Sequence, residues 1–226
     1  MSEQSAVITI DGPGGAGKGT IAREMARELG WHLLDSGAIY RLLALASLRE
    51  NIDPGNVVRL AERAEALDIG FIVEGENAGA ALLEGERVDA AIRDESCGER
   101  ASVLAADPTI REALKARQRA FRQPPGLVAD GRDMGTVIFP DAPVKIFLTA
   151  SAGERARRRH KQLMEQGVTA NLDDLLQELQ ARDARDSQRQ TAPLKPADDA
   201  FTIDTTEQSI DAVIQTVMER VKARLH

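Results

Sequence analysis

Between Asp11 and Thr20 the chain reads DGPGGAGKGT, five glycines in ten residues directly after the apolar run AVITI. Glycine is costly wherever a backbone must hold one shape, so this density needs a reason. Gly12 to Gly17 followed by Lys18 satisfies G-x-x-x-x-G-K, between a predicted strand and a predicted helix. In that setting backbone N–H groups wrap phosphate oxygens, the helix N-terminus adds positive potential, and the lysine reaches the transferred phosphoryl group. Gly12, Pro13, Gly14, Gly15, Ala16, Gly17, Lys18, Gly19 and Thr20 are the expected ATP-binding loop, with Lys18 catalytic. The loop alone does not separate kinases from ATPases or GTPases; no N-K-x-D string supports a guanine-reading switch. Many such loops place Ser or Thr directly after the lysine to hold magnesium. Gly19 stands there instead, so magnesium is expected to arrive with ATP and be held largely through water, without a direct protein ligand.

A second phosphate needs a receiver, and arginine, with a planar fork that matches phosphate oxygens, is the residue to look for. DSGAIYR puts Ser36 and Arg41 just beyond a second strand, and DGRDMG puts Arg132 and Asp133 beyond a third. In a doubly wound sheet both lie at the carboxyl edge, beside the phosphate loop. A local salt bridge of Arg132 with Asp130 or Asp133 is the alternative. In NLDDLLQELQARDARDSQR the stripe Leu172, Leu175, Leu179 continues in steps of three and four to Arg182, Asp186 and Arg189. Charges on an inward stripe need partners, and an anionic substrate with ribose hydroxyls would supply them; a surface pair of Arg182 with Asp186 is the competing reading. SAGERARRRHKQ carries Arg155, Arg157, Arg158 and Arg159 on one helix. At least half of these belong on a solvated face, and the remainder suit a mobile lid over phosphates that turns at EQGVTANLDD.

The elements that must position these groups alternate. AVITID, WHLLDSG, GLVADGRD, VKIFLTAS and AFTIDTT read as strands, and KGTIAREMARELG and AIYRLLALASLRE as helices. The last helix, EQSIDAVIQTVMERVKARL, carries Ile210, Val213, Ile214, Val217 and Val221 at helical spacing, with Thr205 and Gln208 as a capping box. This alternation predicts an α/β fold with a parallel sheet covered by helices on both faces. Around 66–92 the rhythm changes. Leu67, Ile69, Phe71 and Val73 alternate, EGENAG and EGER supply turns, and AALL and RVDAAI read as further short strands of a small antiparallel insertion. Helix restarts at DPTIREALKARQRAF with Asp107 as N-cap and Pro108 in the first helical position. PLKPADDA reads as a loop.

With 226 residues, 42% hydrophobic and 29% charged, the chain has the composition of an ordinary globular domain. Its net charge of −7 argues against a general binder of nucleic-acid polymers or membrane surfaces. No apolar stretch is long enough to span a bilayer, and MSEQSAV lacks the features of a signal peptide. Cys97 is the one cysteine, which suits a reducing cytosol, and His32, His160 and His226 are too scattered for a zinc site.

Taken together, DGPGGAGKGT, LLDSGAIYR, ADGRDMGT, FPDAPVKIFL and RDARDSQR resemble the bacterial cytidylate kinase family, over nearly the whole chain. The resemblance implies a single P-loop NTPase domain over residues 1–226 with a five-stranded parallel core. It also implies a monophosphate-binding region at about 40–115, which holds the antiparallel insertion, and a helical lid at about 152–172. It implies transfer of the γ-phosphoryl group of ATP to CMP or dCMP in pyrimidine metabolism, in a cytoplasmic and monomeric protein. By motif, Ser36, Arg41 and Arg132 would surround the acceptor nucleotide, and Arg182, Asp186 and Arg189 would line its ribose and phosphate. Ser102, Arg111 and Asp133 would read cytosine, and Arg132, Arg182 and Arg189 would join Lys18 in catalysis. Cytosine presents an amine donor beside two acceptors, which suits a carboxylate beside an arginine and a hydroxyl. The rivals are another small P-loop kinase and a nucleotide-dependent binding protein without phosphotransfer.

Overall fold

In the computed structural model, which describes residues 4–71, 80–165 and 167–225, the apolar runs become strands where their spacing says they should. The strands are β1 (Ala6–Asp11), β2 (His32–Asp35), β3 (Ile69–Phe71), β4 (Ala81–Leu83), β5 (Glu86–Arg87), β6 (Gly126–Gly131), β7 (Val144–Thr149) and β8 (Phe201–Asp204). The helices are α1 (Lys18–Leu29), α2 (Ser36–Arg49), α3 (Val57–Glu65), α4 (Asp89–Arg93), α5 (Glu95–Leu104), α6 (Pro108–Arg119), α7 (Ala152–Glu165), α8 (Leu172–Gln188) and α9 (Ile210–Leu225). A short π-helical turn, Met134–Ile138, follows β6.

Five strands form one parallel sheet in the order β2-β6-β1-β7-β8. The five-stranded parallel core expected of a P-loop fold is therefore present. Central β1 pairs with β6 from Ala6–Gly126 to Asp11–Gly131, so the two strands end together. That shared end brings the residues after Asp11 beside those after Gly131. Every residue of β6 is buried, as a strand covered on both faces requires. On one face Ile8, Ile10, Val128, Ile146 and Leu148 pack with Ile21 and Met25 of α1 and Val213, Val217 and Val221 of α9. Gly30 ends α1 in the left-handed region at φ 64°.

The chain divides into two compact units, one of Met1–Leu34 with Phe121–His226 and one of Asp35–Ala120. The second holds a separate antiparallel sheet, β3-β4-β5, as the changed rhythm of the sequence implied. Val73 and the EGENAG turn lie outside the described residues. Asp107 caps α6 through the amides of Thr109 and Ile110, with Pro108 in the first turn.

Two local expectations fail. RVDAAI is not a strand: β5 stops at Arg87, and Asp89–Arg93 is helical. Asp89 ends the strand by accepting from Ala81 N and Arg87 Nε, and the alanines that follow favour helix. The capping box of Thr205 and Gln208 is not formed either. Thr205 Oγ1 lies 3.2 Å from Ala16 O and 3.1 Å from Thr149 O, while Gln208 donates to Asp204 O. Ser209 accepts from Ala212 N in its place, and the helix begins at Ile210.

Candidate active site

The loop between β1 and α1 is held in its shape by contacts that exclude side chains. Gly12 has φ 148°, and a Cβ there would stand 2.0 Å from Leu148 O on β7. Gly12→Ala is expected to lower the melting temperature by more than 10 °C or prevent accumulation of folded protein, since both torsion and space oppose it. Thermal denaturation checks this. At its other end, Gly17 (φ 91°) is the N-cap of α1, without a side-chain cap and without an acidic residue in the first turn. The positive end of α1 is thus left for an anion from outside the helix.

Lys18 is buried. Its Nζ donates to Pro13 O at 2.9 Å and stands 3.9 Å from Asp130 Oδ1. Burial, then the nearby Arg132, lowers its pKa to about 8, with Asp130 opposing and Arg182 adding to the fall. A Cβ on Gly19 would lie 3.3 Å from Asp130 Oδ2. Gly19 therefore leaves room for a carboxylate at the place where related loops carry a hydroxyl. Thr20, in the first turn, donates its amide to Gly17 O.

Arg132 is oriented by α8. Its Nε donates to Asp186 Oδ2 at 2.8 Å, and Nη2 lies 3.5 Å from the position of a Cβ on Gly14. One edge of the guanidinium is thus held by a carboxylate while the other faces the phosphate loop. The strongest partner is Asp186, not the neighbouring Asp130 or Asp133 of the local salt-bridge reading. Asp186 is itself buried. Burial pushes its carboxyl up, but Arg132, Arg189 and Arg182 outweigh this and hold it below the usual range. Arg189, just past the end of α8, donates through Nε to Asp186 O, with Nη2 3.9 Å from Asp186 Oδ1. The charged continuation of the leucine stripe is thus real. Leu175, Asp186 and Arg189 are buried, whereas Leu172 at its start is exposed.

The four arginines of α7 separate by face. Arg155 is buried and binds Asp183 through both terminal nitrogens, Gly14 O at 3.0 Å, and Ala150 O. Arg158 donates to Glu154 and to Thr205, whose hydroxyl adjoins Ala16 O. Both tie the base of α7 to carbonyls around the phosphate loop. Arg157 lies on the exposed face beside Glu154, and Arg159 donates to Gln162. Of the turn EQGVTANLDD, Gln166 lies outside the described residues.

In the unit Asp35–Ala120, Ser36 opens α2 and donates to Gln118 Oε1 at 2.8 Å. Arg41, one turn later, donates to Ile92 O at 2.6 Å and packs on Gly98, where a Cβ would approach Nη2 to 2.8 Å. Arg111 is buried, donates to Ala105 O at the end of α5, and lies over the Tyr40 ring at 5.7 Å. Ser102, on the last turn of α5, is buried with its hydroxyl unmatched by a hydrogen bond among the described residues. A buried hydroxyl in that condition suits a ligand contact. Asp133, in the other unit, is also buried, at the N-cap of the π-helical turn.

Sequence reasoning passed over three polar residues. Gln118 shows no motif and is found only through its bond to Ser36. Asp130 figured solely as a salt-bridge partner, although its position at the end of a buried strand was a signal. Asp11, which ends β1, has no role in the sequence reading; a carboxylate at the end of an apolar strand was the signal there. Among the described residues no group of three metal-ligating side chains is found, and no helix is long and apolar enough to cross a membrane.

The family model described as cytidylate kinase matches residues 8–223. A cytidylate kinase of Shewanella loihica is 53% identical over 225 residues, covering 100% of this chain and 98% of that protein. Its counterpart in Azotobacter vinelandii is 55% identical over 225 residues, covering 99% and 98%. One from Pseudomonas aeruginosa is 57% identical over 213 residues, covering 94% and 93%.

Proposed function

The chain belongs to the cytidylate kinase family, and we propose that it transfers the γ-phosphoryl group of ATP to CMP, and to dCMP, giving ADP and CDP or dCDP. The observation that carries the reading beyond the family match is Arg132, gripped by Asp186 at one edge and turned toward Gly14 of the phosphate loop at the other. A buried planar fork aimed at the loop fits a site where the phosphoryl group passes to a second phosphate.

The acceptor is already an oxyanion, so a strong base is unnecessary. What the protein must do is bring two mutually repelling phosphates into line and neutralise the charge that develops between them. On this reading the loop Gly12–Thr20 holds the ATP phosphates. Lys18 leaves Pro13 O for the γ-phosphate, while Arg132, Arg182 and Arg189 take the acceptor phosphate and the transferring group. Asp186 holds the fork of Arg132 in register and reaches the ribose. Ser36 lies beside the CMP, Arg41 contacts its phosphate, and Ser102, Arg111 and Asp133 contact the cytosine. Magnesium bound with ATP supplies further neutralisation of the phosphate oxygens. Asp130, whose carboxylate packs against Gly19, would hold the hydrated ion that comes with ATP. Residues at about 40–115 would form the monophosphate-binding region and those at about 152–172 a lid whose closure excludes water, protecting ATP from hydrolysis. A monomer working in the cytoplasm, where its nucleotide substrates are found, fits these roles.

ADP formation measured with CMP, dCMP, UMP, AMP and shikimate as acceptors tests the reading. CMP and dCMP are expected to exceed UMP by at least tenfold in kcat/KM, because uracil presents an acceptor oxygen where cytosine presents an amine to Asp133. A better acceptor elsewhere in the set overturns the base assignment, and no acceptor-dependent turnover overturns phosphotransfer.

A further inference from the structure

Asp11 is a buried carboxylate with a specific task. One oxygen accepts the amide of Met134 and the other that of Gly135, each at 2.8 Å. These are the first amides of the π-helical turn, whose own bonds begin later, with Val137 N and Ile138 N to Asp133 O and Phe139 N to Met134 O. The first amides of any helical turn lack an internal partner, and the residue at the N-cap ordinarily bends its side chain back to supply one. The N-cap here is Asp133, one of the best residue types for that purpose, yet its side chain makes no capping bond to the turn. Asp11, reaching from the neighbouring strand, has taken both amides.

We propose that Asp11 is a positioning residue that caps the turn in place of Asp133 and so keeps the Asp133 carboxylate turned to the cytosine amine. The inference rests on the cytidylate kinase reading and deepens it. Asp11 is buried, with both oxygens taken by the turn. It links the end of β1, where the phosphate loop begins, to the turn that follows Arg132 and Asp133, so one side chain registers the base-reading group against the donor loop. The group is kept at a cost. Burial, only partly opposed by the two amides, raises its pKa to about 7, and Asp133 adds to the rise while Lys18 opposes it.

Asparagine cannot do the same work, because its single oxygen accepts from one amide and its NH₂ opposes the other. In Asp11→Asn the orphaned amide is expected to draw the Asp133 carboxylate, which stands at the N-cap of the turn. The expected result is a fall of at least tenfold in the preference for CMP over UMP and a rise of similar size in KM for CMP, with KM for ATP within twofold of wild type. In an Asp133→Asn background, Asp11→Asn is expected to change that preference by less than twofold. Equal rises in both KM values, an unchanged preference, or a full further loss in the double variant would overturn the proposal. Should Asp11→Asn not fold, the wild-type protein decides: the ¹³C resonance of the Asp133 carboxyl is expected to move on adding CMP while that of Asp11 stays. Movement of Asp11 alone or of both equally would overturn it. If wild type shows no CMP preference, the base-reading assignment fails; if the preference exists and survives Asp11→Asn, only the positioning role fails.

Discussion

Replacing Lys18 by methionine is expected to lower kcat by about 10³-fold, in the range lost when a principal charge-stabilising donor is removed from a phosphoryl- or acyl-transfer site. The same substitution is expected to make the free protein more stable at neutral pH. A lysine pKa lowered to about 8 from 10.5 corresponds to a burial cost on the order of 3 kcal/mol at pH 7. Methionine fills nearly the same space without the charge. The lost bond to Pro13 O and the lost counter-charge to Asp130 take back part of this, and the melting temperature at pH 7 is expected to rise. The sign with pH is fixed by the direction of the shift. In the window between about 8 and 10.5 the unfolded lysine binds more protons than the folded one, so wild-type stability gains on the variant as pH rises through it. Calorimetry at pH 7 and pH 9.5 therefore finds the variant ahead at the first and its lead reduced at the second. A variant less stable than wild type at pH 7 would show that the ammonium is not under electrostatic stress.

The phosphate loop was legible in the sequence because its reason is backbone geometry. Gly12 and Gly17 occupy conformations that other residues rarely adopt, and their spacing from Lys18 is set by the size of a phosphate group. The parallel sheet was legible for a similar reason, since strands buried on both faces read as continuous apolar runs. The charged stripe of α8 followed from helical periodicity alone. Pairings across the sheet were a different matter. Nothing local tells Arg132 to prefer Asp186, fifty-four positions away, over Asp130 or Asp133 beside it, and the sequence offered the near partners first. Asp11 and the amides after Asp133 are likewise far apart in the chain and meet only because β1 and β6 end in register. The misread Thr205 fits the same pattern. Its local spacing to Gln208 matched a cap, but the neighbouring phosphate loop and β7 offered its hydroxyl other partners. Local rules held where the local backbone decides and failed where the topology supplied a competitor.

Asp186→Asn is where a long-range pairing has its largest expected consequence. The carboxylate accepts from Arg132, lies 3.9 Å from a terminal nitrogen of Arg189, and feels Arg182 as well, all in buried surroundings. Removing its charge without changing its shape leaves guanidinium groups in low dielectric with their main counter-charge gone, a loss of roughly 3–5 kcal/mol. Turnover is expected to fall as well, by about 10²-fold, because Arg132 loses the grip that aims its fork at the phosphate loop. The pH dependence has a definite sign. Asp186 is held below the usual carboxylate range, so its contribution is fully present above the unfolded value of 3.8 and is lost as pH falls through the lower folded value. The gap between wild type and variant in urea denaturation is therefore constant from pH 5 to 8 and closes only in strong acid. Added anions separate this account from a simple packing defect. Arginines deprived of an internal carboxylate take a counter-charge from solution, so sulfate is expected to raise the melting temperature of the variant more than that of wild type. If the two proteins gain equally, Asp186 stabilises the fold by shape and not by holding cations that the substrate would otherwise have to neutralise.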